Sequence, residues 1–202
     1  MPFTKLLFTA LGIISISCSA QQKETDNVTD VSKITFLNPG VSYEKRIGKL
    51  QTLYGQVFMA TSFGFGYSSS MGSTSIIYID PAATLQYRYY YNFKKREAKD
   101  KRTELNSGNY VCSILETTFS KHAISLAYYH ERNRRLLNTL GIAWGFQRNY
   151  SRRFSLDLNL GLGYLYTRAT TGEFFGEYVT KNVGQLTSVG QLNLGFWLNK
   201  RN

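Results

Sequence analysis

Residues 154–166 read FSLDLNLGLGYLY, with Phe154, Leu156, Leu158, Leu160, Leu162, Tyr164 and Tyr166 on one alternate set and Ser155, Asp157, Asn159, Gly161, Gly163 and Leu165 on the other. Alternation of this kind is the signature of a β-strand, whose successive side chains point to opposite faces. Its length constrains the fold more than its existence does. Globular strands average about 5–6 residues, and at about 3.3 Å per residue this run reaches about 43 Å. A strand crossing a bilayer at a tilt near 45° needs about 9–11 residues, so the run is long enough to span.

The pattern recurs along the chain. Leu53–Tyr67 sets Leu53, Val57, Met59, Phe63, Phe65 and Tyr67 against Tyr54, Gln56, Ala60, Ser62, Gly64 and Gly66. Ile77–Phe93 sets Ile77, Ile79, Ala83, Leu85, Tyr87, Tyr89, Tyr91 and Phe93 against Asp80, Thr84, Gln86, Arg88 and Asn92. Pro81 within that run fits only a bulge or a strand start, because proline cannot donate to a ladder. Leu137–Arg148 carries Leu140, Ile142, Trp144 and Phe146 opposite Thr139, Gly141, Ala143, Gly145 and Gln147. Leu186–Asn199 carries Leu192, Leu194, Phe196 and Leu198 opposite Gln191, Asn193, Gly195 and Asn199. Weaker strands are expected at Tyr110–Thr118, and at Lys33–Leu37 and Gly40–Lys45 folded about Asn38-Pro39. The total is eight, and single-chain bacterial outer-membrane barrels have an even number.

Backbone groups in hydrocarbon must all be paired, so spanning strands have to close on themselves. Eight strands leave an interior that side chains fill, which suits an inner face of Ser, Thr, Gly, Ala and Gln. The fold class expected is therefore all-β, an eight-stranded antiparallel transmembrane β-barrel over residues 32–199. The competing architecture is a soluble β-sandwich or lipocalin-type barrel, which gives a tyrosine-rich area of this length no purpose. The composition agrees with the barrel: 15 Tyr, 13 Phe and 17 Gly against 3 Pro. Tyr87, Tyr89, Tyr91 and Phe93, like Tyr164 and Tyr166, sit toward strand ends, where a ring with a polar tip suits the headgroup level. GKLQ, KKREAKDKRTELNSG and NYSRR connect strands at one end and SSSMGST, SKHAISLAYYHERNRR and RATTGEFFGEYVTKNVGQ at the other. With a periplasmic N-terminus the second set becomes the outer loops.

The first residues, MPFTKLLFTALGIISISCSAQQ, have Lys5, an apolar stretch and then small residues, the order of a secretory signal peptide over residues 1–20 cut between Ala20 and Gln21. The alternative is a lipoprotein signal acylated at Cys18, although Ser15 stands where leucine is usual. Residues 21–31 are polar and aperiodic and are expected to form a flexible lead-in. With Cys18 removed, Cys112 is the one cysteine left, so no internal disulfide forms. The net charge of +11 is strongly basic. In an exported chain it points to anionic lipid or a solvated rim rather than to nucleic acid.

By the alternation, Glu44, Arg88, Glu116 and Asp157 face the lumen. Charges in a narrow interior need partners to offset desolvation, so these four are expected to form an internal ion-pair network. A gated polar path is the functional alternative. The two histidines, His122 and His130, fall in one presumed outer loop with Ser125 and Glu131. A hydrolytic Ser-His-Glu arrangement there meets a geometric objection, since Ser125 and His122 face opposite sides of an extended strand. No close second ligand pair supports a metal site. Arg132, Arg134 and Arg135 fit instead as contacts for lipopolysaccharide phosphates, which arginine grips bidentately. A solvated loop is the plain alternative. No cofactor is expected.

At FLNPGVSYEKRIGK, SGNY and WGFQRNYSRRFSLDLNLGLGYLY the chain resembles small, mostly uncharacterised outer-membrane barrel proteins, and in general plan it is similar to OmpA-type and OmpX-type barrels. It departs from many of these at its end, where Leu198-Asn199-Lys200-Arg201-Asn202 follows the aromatic pair Phe196-Trp197. The resemblance implies a Gram-negative outer-membrane location, contact with membrane lipid and lipopolysaccharide, insertion by the outer-membrane assembly machinery, and a monomer. The role expected is structural or surface-interacting rather than enzymatic. A lipid-A-modifying enzyme and a narrow pore are the alternatives.

Overall fold

The computed structural model describes residues 27–68, 72–122, 133–172 and 178–200, and the side chains of 62–76 and 171–172 fall outside that description, so Phe63, Phe65 and Tyr67 are not placed. The signal segment with Cys18, most of the lead-in, Ser125, His130, Glu131 and Arg132 also lie outside the described residues. Eight strands run in order: β1 (Val31–Leu37), β2 (Gly40–Arg46), β3 (Gln51–Ser68), β4 (Gly72–Tyr90), β5 (Asn109–Ser120), β6 (Arg135–Asn149), β7 (Phe154–Gly172) and β8 (Tyr178–Trp197). Each is antiparallel to the next, and β8 pairs with β1 to close the ring. The longest strands extend into segments expected to be loops: β8 starts at Tyr178 rather than Leu186, its first turn of pairing held by the ladder to β7.

Polarity across the wall is the reverse of a soluble sheet's. Large apolar side chains point outward, with Leu186, Leu162 and Ile142 exposed by 84%, 73% and 72%. Gln86, Arg88, Gln147, Asp157 and Asn159 point inward and are buried. The alternation of the sequence produces this directly, since a period of two sends every second residue to the other face.

Pro81 shows how register accommodates a residue that cannot donate. It pairs across β3 with Met59, whose N–H turns the other way and donates to Pro39 O at 2.9 Å. The ring nitrogen of Pro81 therefore faces β5, and the β4–β5 ladder stops just there, at Ala82 and Thr118. Proline sits on a locally unpaired edge, where it forfeits no hydrogen bond.

The lower end, with both described termini and the turns after β2, β4 and β6, is closed by packing. A short helix, α1 (Phe93–Glu97), and a 3-10 turn at Glu104–Asn106 fold across it. Phe93, expected on the outer face, is buried instead: β4 ends at Tyr90, the alternation ends with it, and the ring packs on Tyr90 with centroids 5.3 Å apart. Val28, expected in a flexible segment, is also fully buried in this cluster. The side-chain amide of Asn106 holds it in place, accepting from Thr29 N–H at 2.7 Å and donating to Thr29 O at 2.8 Å. At this lip Asp30 accepts from Lys45 Nζ at 2.7 Å, Tyr43 Oη at 2.9 Å and Arg46 N–H at 2.8 Å.

At the upper end the wall is uneven. β1 and β2 have 7 residues each, while β3 has 18 and β8 has 20. Pairing of β2 with β3 ends at Gly40 and Phe58, and pairing of β1 with β8 ends at Leu37 and Leu194. Asn38 at the hairpin tip bridges both neighbours, donating to Leu192 O at 3.1 Å and accepting from Thr61 N–H at 3.3 Å. Beyond that point β3 pairs only with β4, and β8 only with β7, among the described residues.

Candidate functional site

The chemistry in this chain is concentrated inside the ring, centred on Arg88. Its Cζ lies 3.7 Å from the ring centroid of Tyr54 and 4.4 Å from that of Tyr110, so the guanidinium is stacked between two rings from the strands on either side. Its Nη1 donates to Asp157 Oδ2 at 2.8 Å and to Gln147 Oε1 at 3.0 Å, and its Nε donates to Gln86 Oε1 at 2.9 Å. Cation–π attraction strengthens where water is excluded, and this group is fully buried.

Tyr110 can lie over the arginine because its cross-strand partner is Gly145. A Cβ at that position would stand 2.5 Å from Tyr110 Cζ, so any side chain there displaces the ring. The same tyrosine donates to Asp157 Oδ1 at 2.6 Å, giving both carboxylate oxygens a partner.

A second carboxylate, Glu44, accepts from Tyr90 Oη at 2.6 Å and Thr52 Oγ1 at 2.7 Å through Oε1, and from Gln147 Nε2 at 3.2 Å through Oε2. Gln147 links the two halves, because its Oε1 also accepts from Lys33 Nζ at 2.6 Å. Lys33 Nζ is 3.8 Å from Asp157 Oδ2. Two cations, Lys33 and Arg88, thus neutralise two carboxylates, Glu44 and Asp157, in a fully buried layer. A balanced, hydrogen-bonded set is the form in which buried charge is tolerated.

Of the four residues expected to form a network, Glu44, Arg88 and Asp157 come together and Glu116 does not. Glu116 is on the inner face of β5 beside Thr84, higher in the ring, with no ion pair to any described residue at that level. Lys33, Gln147 and the three tyrosines were missed as members. A signal for Lys33 existed: Ile34 and Phe36 point outward, so alternation sends Lys33 in.

The loop arginines turn partly toward the protein. Arg134 Nη1 donates to Asp80 Oδ1 at 2.7 Å and to Phe119 O at 2.8 Å, and Arg135 Nη2 donates to His122 O at 3.1 Å. His122 stacks on Tyr78 with centroids 3.7 Å apart, its Nε2 3.7 Å from Asp80 Oδ2. Among the described residues no three His, Cys, Asp or Glu side chains gather in a way that could hold a metal ion. Cys112 is a buried free thiol. No protein-family model, no curated protein and no solved structure matches this chain, so the functional argument rests on the arrangement of these residues.

Proposed function

We propose that this chain is a small transmembrane barrel of the bacterial outer membrane that acts at the cell surface, as an anchoring or surface-interaction protein rather than a channel. The observation that carries the membrane half is the inverted polarity: a ring with leucine and isoleucine outward and Arg88, Asp157 and Glu44 inward has its apolar solvent on the outside. Rings with polar tips lie at both ends of the apolar band, Tyr89, Tyr91 and Trp144 below and Tyr164 and Tyr166 above. Trp144 Nε1 donates to Tyr91 Oη at 2.7 Å, a pairing suited to an interface where indole and phenol meet water on one side. In this reading the basic upper loops, with Arg132, Arg134 and Arg135, face lipopolysaccharide phosphates.

The buried layer favours the closed alternative over the pore. Each charge in it is held by two or more partners, and Phe93 and Val28 pack beneath it.

The test is biochemical. The mature chain folded in detergent is expected to migrate faster before boiling than after it, and to stay with membranes through alkaline carbonate. Release by carbonate would refute the membrane reading. Planar-bilayer conductance near zero is expected, and steady single-channel steps would restore the pore. Lipid A of unchanged mass after alanine replacement of His122 and His130 is expected, and a mass change would favour the enzyme.

A further inference from the structure

We propose that the opening in the wall above the β1–β2 hairpin is the entrance to a binding site for a single-chain amphiphile with a hydroxyl-bearing, non-anionic head, which is held inside the ring by Asn159, Gln191 and Thr84. The proposal rests on the membrane reading above and goes beyond it.

The opening follows from register. Two strands stop half-way, so β3 and β8 stand apart by three strand spacings, about 14 Å along the wall. Val189 on β8 is partly buried, whereas Gln191 and Asn193, on either side of the residue that Asn38 bonds, are buried. On the outer side the opening is flanked by Leu186, the most exposed of the large apolar side chains. A hydrocarbon chain lying between β3 and β8 therefore has lipid on one side and the upper lumen on the other. The inner face it would meet carries Ala82, Gly163 and Val189 together with the buried ring of Phe58, the cross-strand partner of Ala82.

The head site is defined by polar atoms that have no protein partner. Gln86 Nε2 donates to Gln191 Oε1 at 3.3 Å across the lumen, which fixes the level. Asn159 is the cross-strand partner of Gln191, and Thr84 is two residues from Gln86 on the same face of β4. Neither amide atom of Asn159, nor Nε2 of Gln191, nor Oγ1 of Thr84 has a hydrogen-bond partner. All three residues are inside the wall, exposed by 2%, 7% and 4%. Buried polar groups are nearly always satisfied, so these three neighbouring exceptions, which stand beside others in the ring at Ser42 Oγ and Arg88 Nη2, point to a ligand.

The free atoms also select the head. Asn159 offers a donor and an acceptor, Gln191 a donor, and Thr84 either. Carboxylates and phosphates only accept and ammonium groups only donate, whereas hydroxyls do both. Glu116, the cross-strand partner of Thr84, faces the same space with no cation paired to it among the described residues, so nothing beside it draws in an anionic head. In the layer below, the charge of Arg88 is already met by Asp157 at 2.8 Å, although its Nη2 has no hydrogen-bond partner. A monoacylglycerol has the required chemistry.

The experiment uses the folded chain in detergent, with monolauroylglycerol, laurate and glycerol as probes and native mass spectrometry as readout. One monolauroylglycerol per chain is expected, with laurate at least about tenfold weaker and glycerol not retained. Asn159→Leu and the near-isosteric Thr84→Val are each expected to weaken monolauroylglycerol about tenfold, the loss of roughly one well-made hydrogen bond. Val189→Trp is expected to block it. Heat-modifiable migration confirms folding of every variant, and Thr84→Val serves if Asn159→Leu does not fold. Equal binding of laurate, or undiminished binding in folded Thr84→Val, would overturn the site. So would efficient disulfide dimerisation of Leu186→Cys in vesicles, which puts a second polypeptide at the opening. The two readings fail separately: carbonate release overturns the membrane reading and this one with it, whereas absent binding in a carbonate-resistant chain overturns this one alone.

Discussion

Replacing Arg88 with methionine tests whether the interior of the ring is as dry and as balanced as its geometry indicates. Asp157 would keep the Tyr110 hydroxyl at 2.6 Å and Lys33 at 3.8 Å, but lose its closest cation at 2.8 Å. Breaking a buried pair by removing one partner costs about 3–5 kcal/mol, because the remaining charge is still desolvated. Two ring faces also lose a cation, about 2 kcal/mol each at a desolvated site, and the thioether regains part of that through sulfur–aromatic contact. The expected loss is about 5 kcal/mol or more, a large share of the roughly 5–15 kcal/mol that stabilises a domain. Adding Asp157→Asn restores neutrality, leaving Lys33 against Glu44, and its amide oxygen still accepts from Tyr110. The double variant should therefore be more stable than Arg88→Met alone, with a coupling of about 2 kcal/mol or more. Urea unfolding in lipid vesicles, followed by the fluorescence of the two tryptophans, Trp144 and Trp197, measures all four corners of the cycle. A loss below about 1 kcal/mol for Arg88→Met, or additive effects in the double variant, would refute the reasoning and mean that water solvates the layer.

Further outcomes follow from other parts of the wall. Gly145→Val should cost about 1–3 kcal/mol by the same urea assay, since its Cβ alone would meet Tyr110 Cζ at 2.5 Å; an unaffected midpoint would mean that the tyrosine does not need that space. The Cys112 thiol, buried in the core cluster, should react with maleimide only under denaturant in a chain lacking residues 1–20, and fast labelling of the folded form would contradict the packing. Burial tends to raise the pKa of Asp30, but hydrogen bonds from Lys45, the Arg46 backbone and Tyr43 outweigh it and hold the carboxyl below its usual value. Its stabilising contribution is then fully present above the unfolded value of about 3.9 and is lost as pH falls through the lower folded value. Asp30→Asn should accordingly lower stability near neutrality and flatten the acid limb below about pH 4, and parallel pH profiles for the two proteins would rule this out.

What the sequence determined by itself was whatever depends on neighbours one or two residues apart. Strand identity, the outward set from Ile77 to Tyr91 and the inward placement of Glu44, Arg88 and Asp157 all follow from a period of two, which needs no knowledge of the partner strand. Where that local rule ended, so did legibility: Phe93 was assigned outward because the alternation was extended three residues past Tyr90, into a helix that folds under the ring. Tertiary structure alone decided which charges meet. Arg88 and Asp157 are 69 residues apart, and their pairing depends on the registers of every ladder between β4 and β7. The same registers leave Glu116 above the network, bring Lys33 into it, and stop β1 and β2 half-way up their neighbours. A side chain's face is fixed by its own strand, but its height in the ring is fixed by how all eight strands slide against one another as the ring closes.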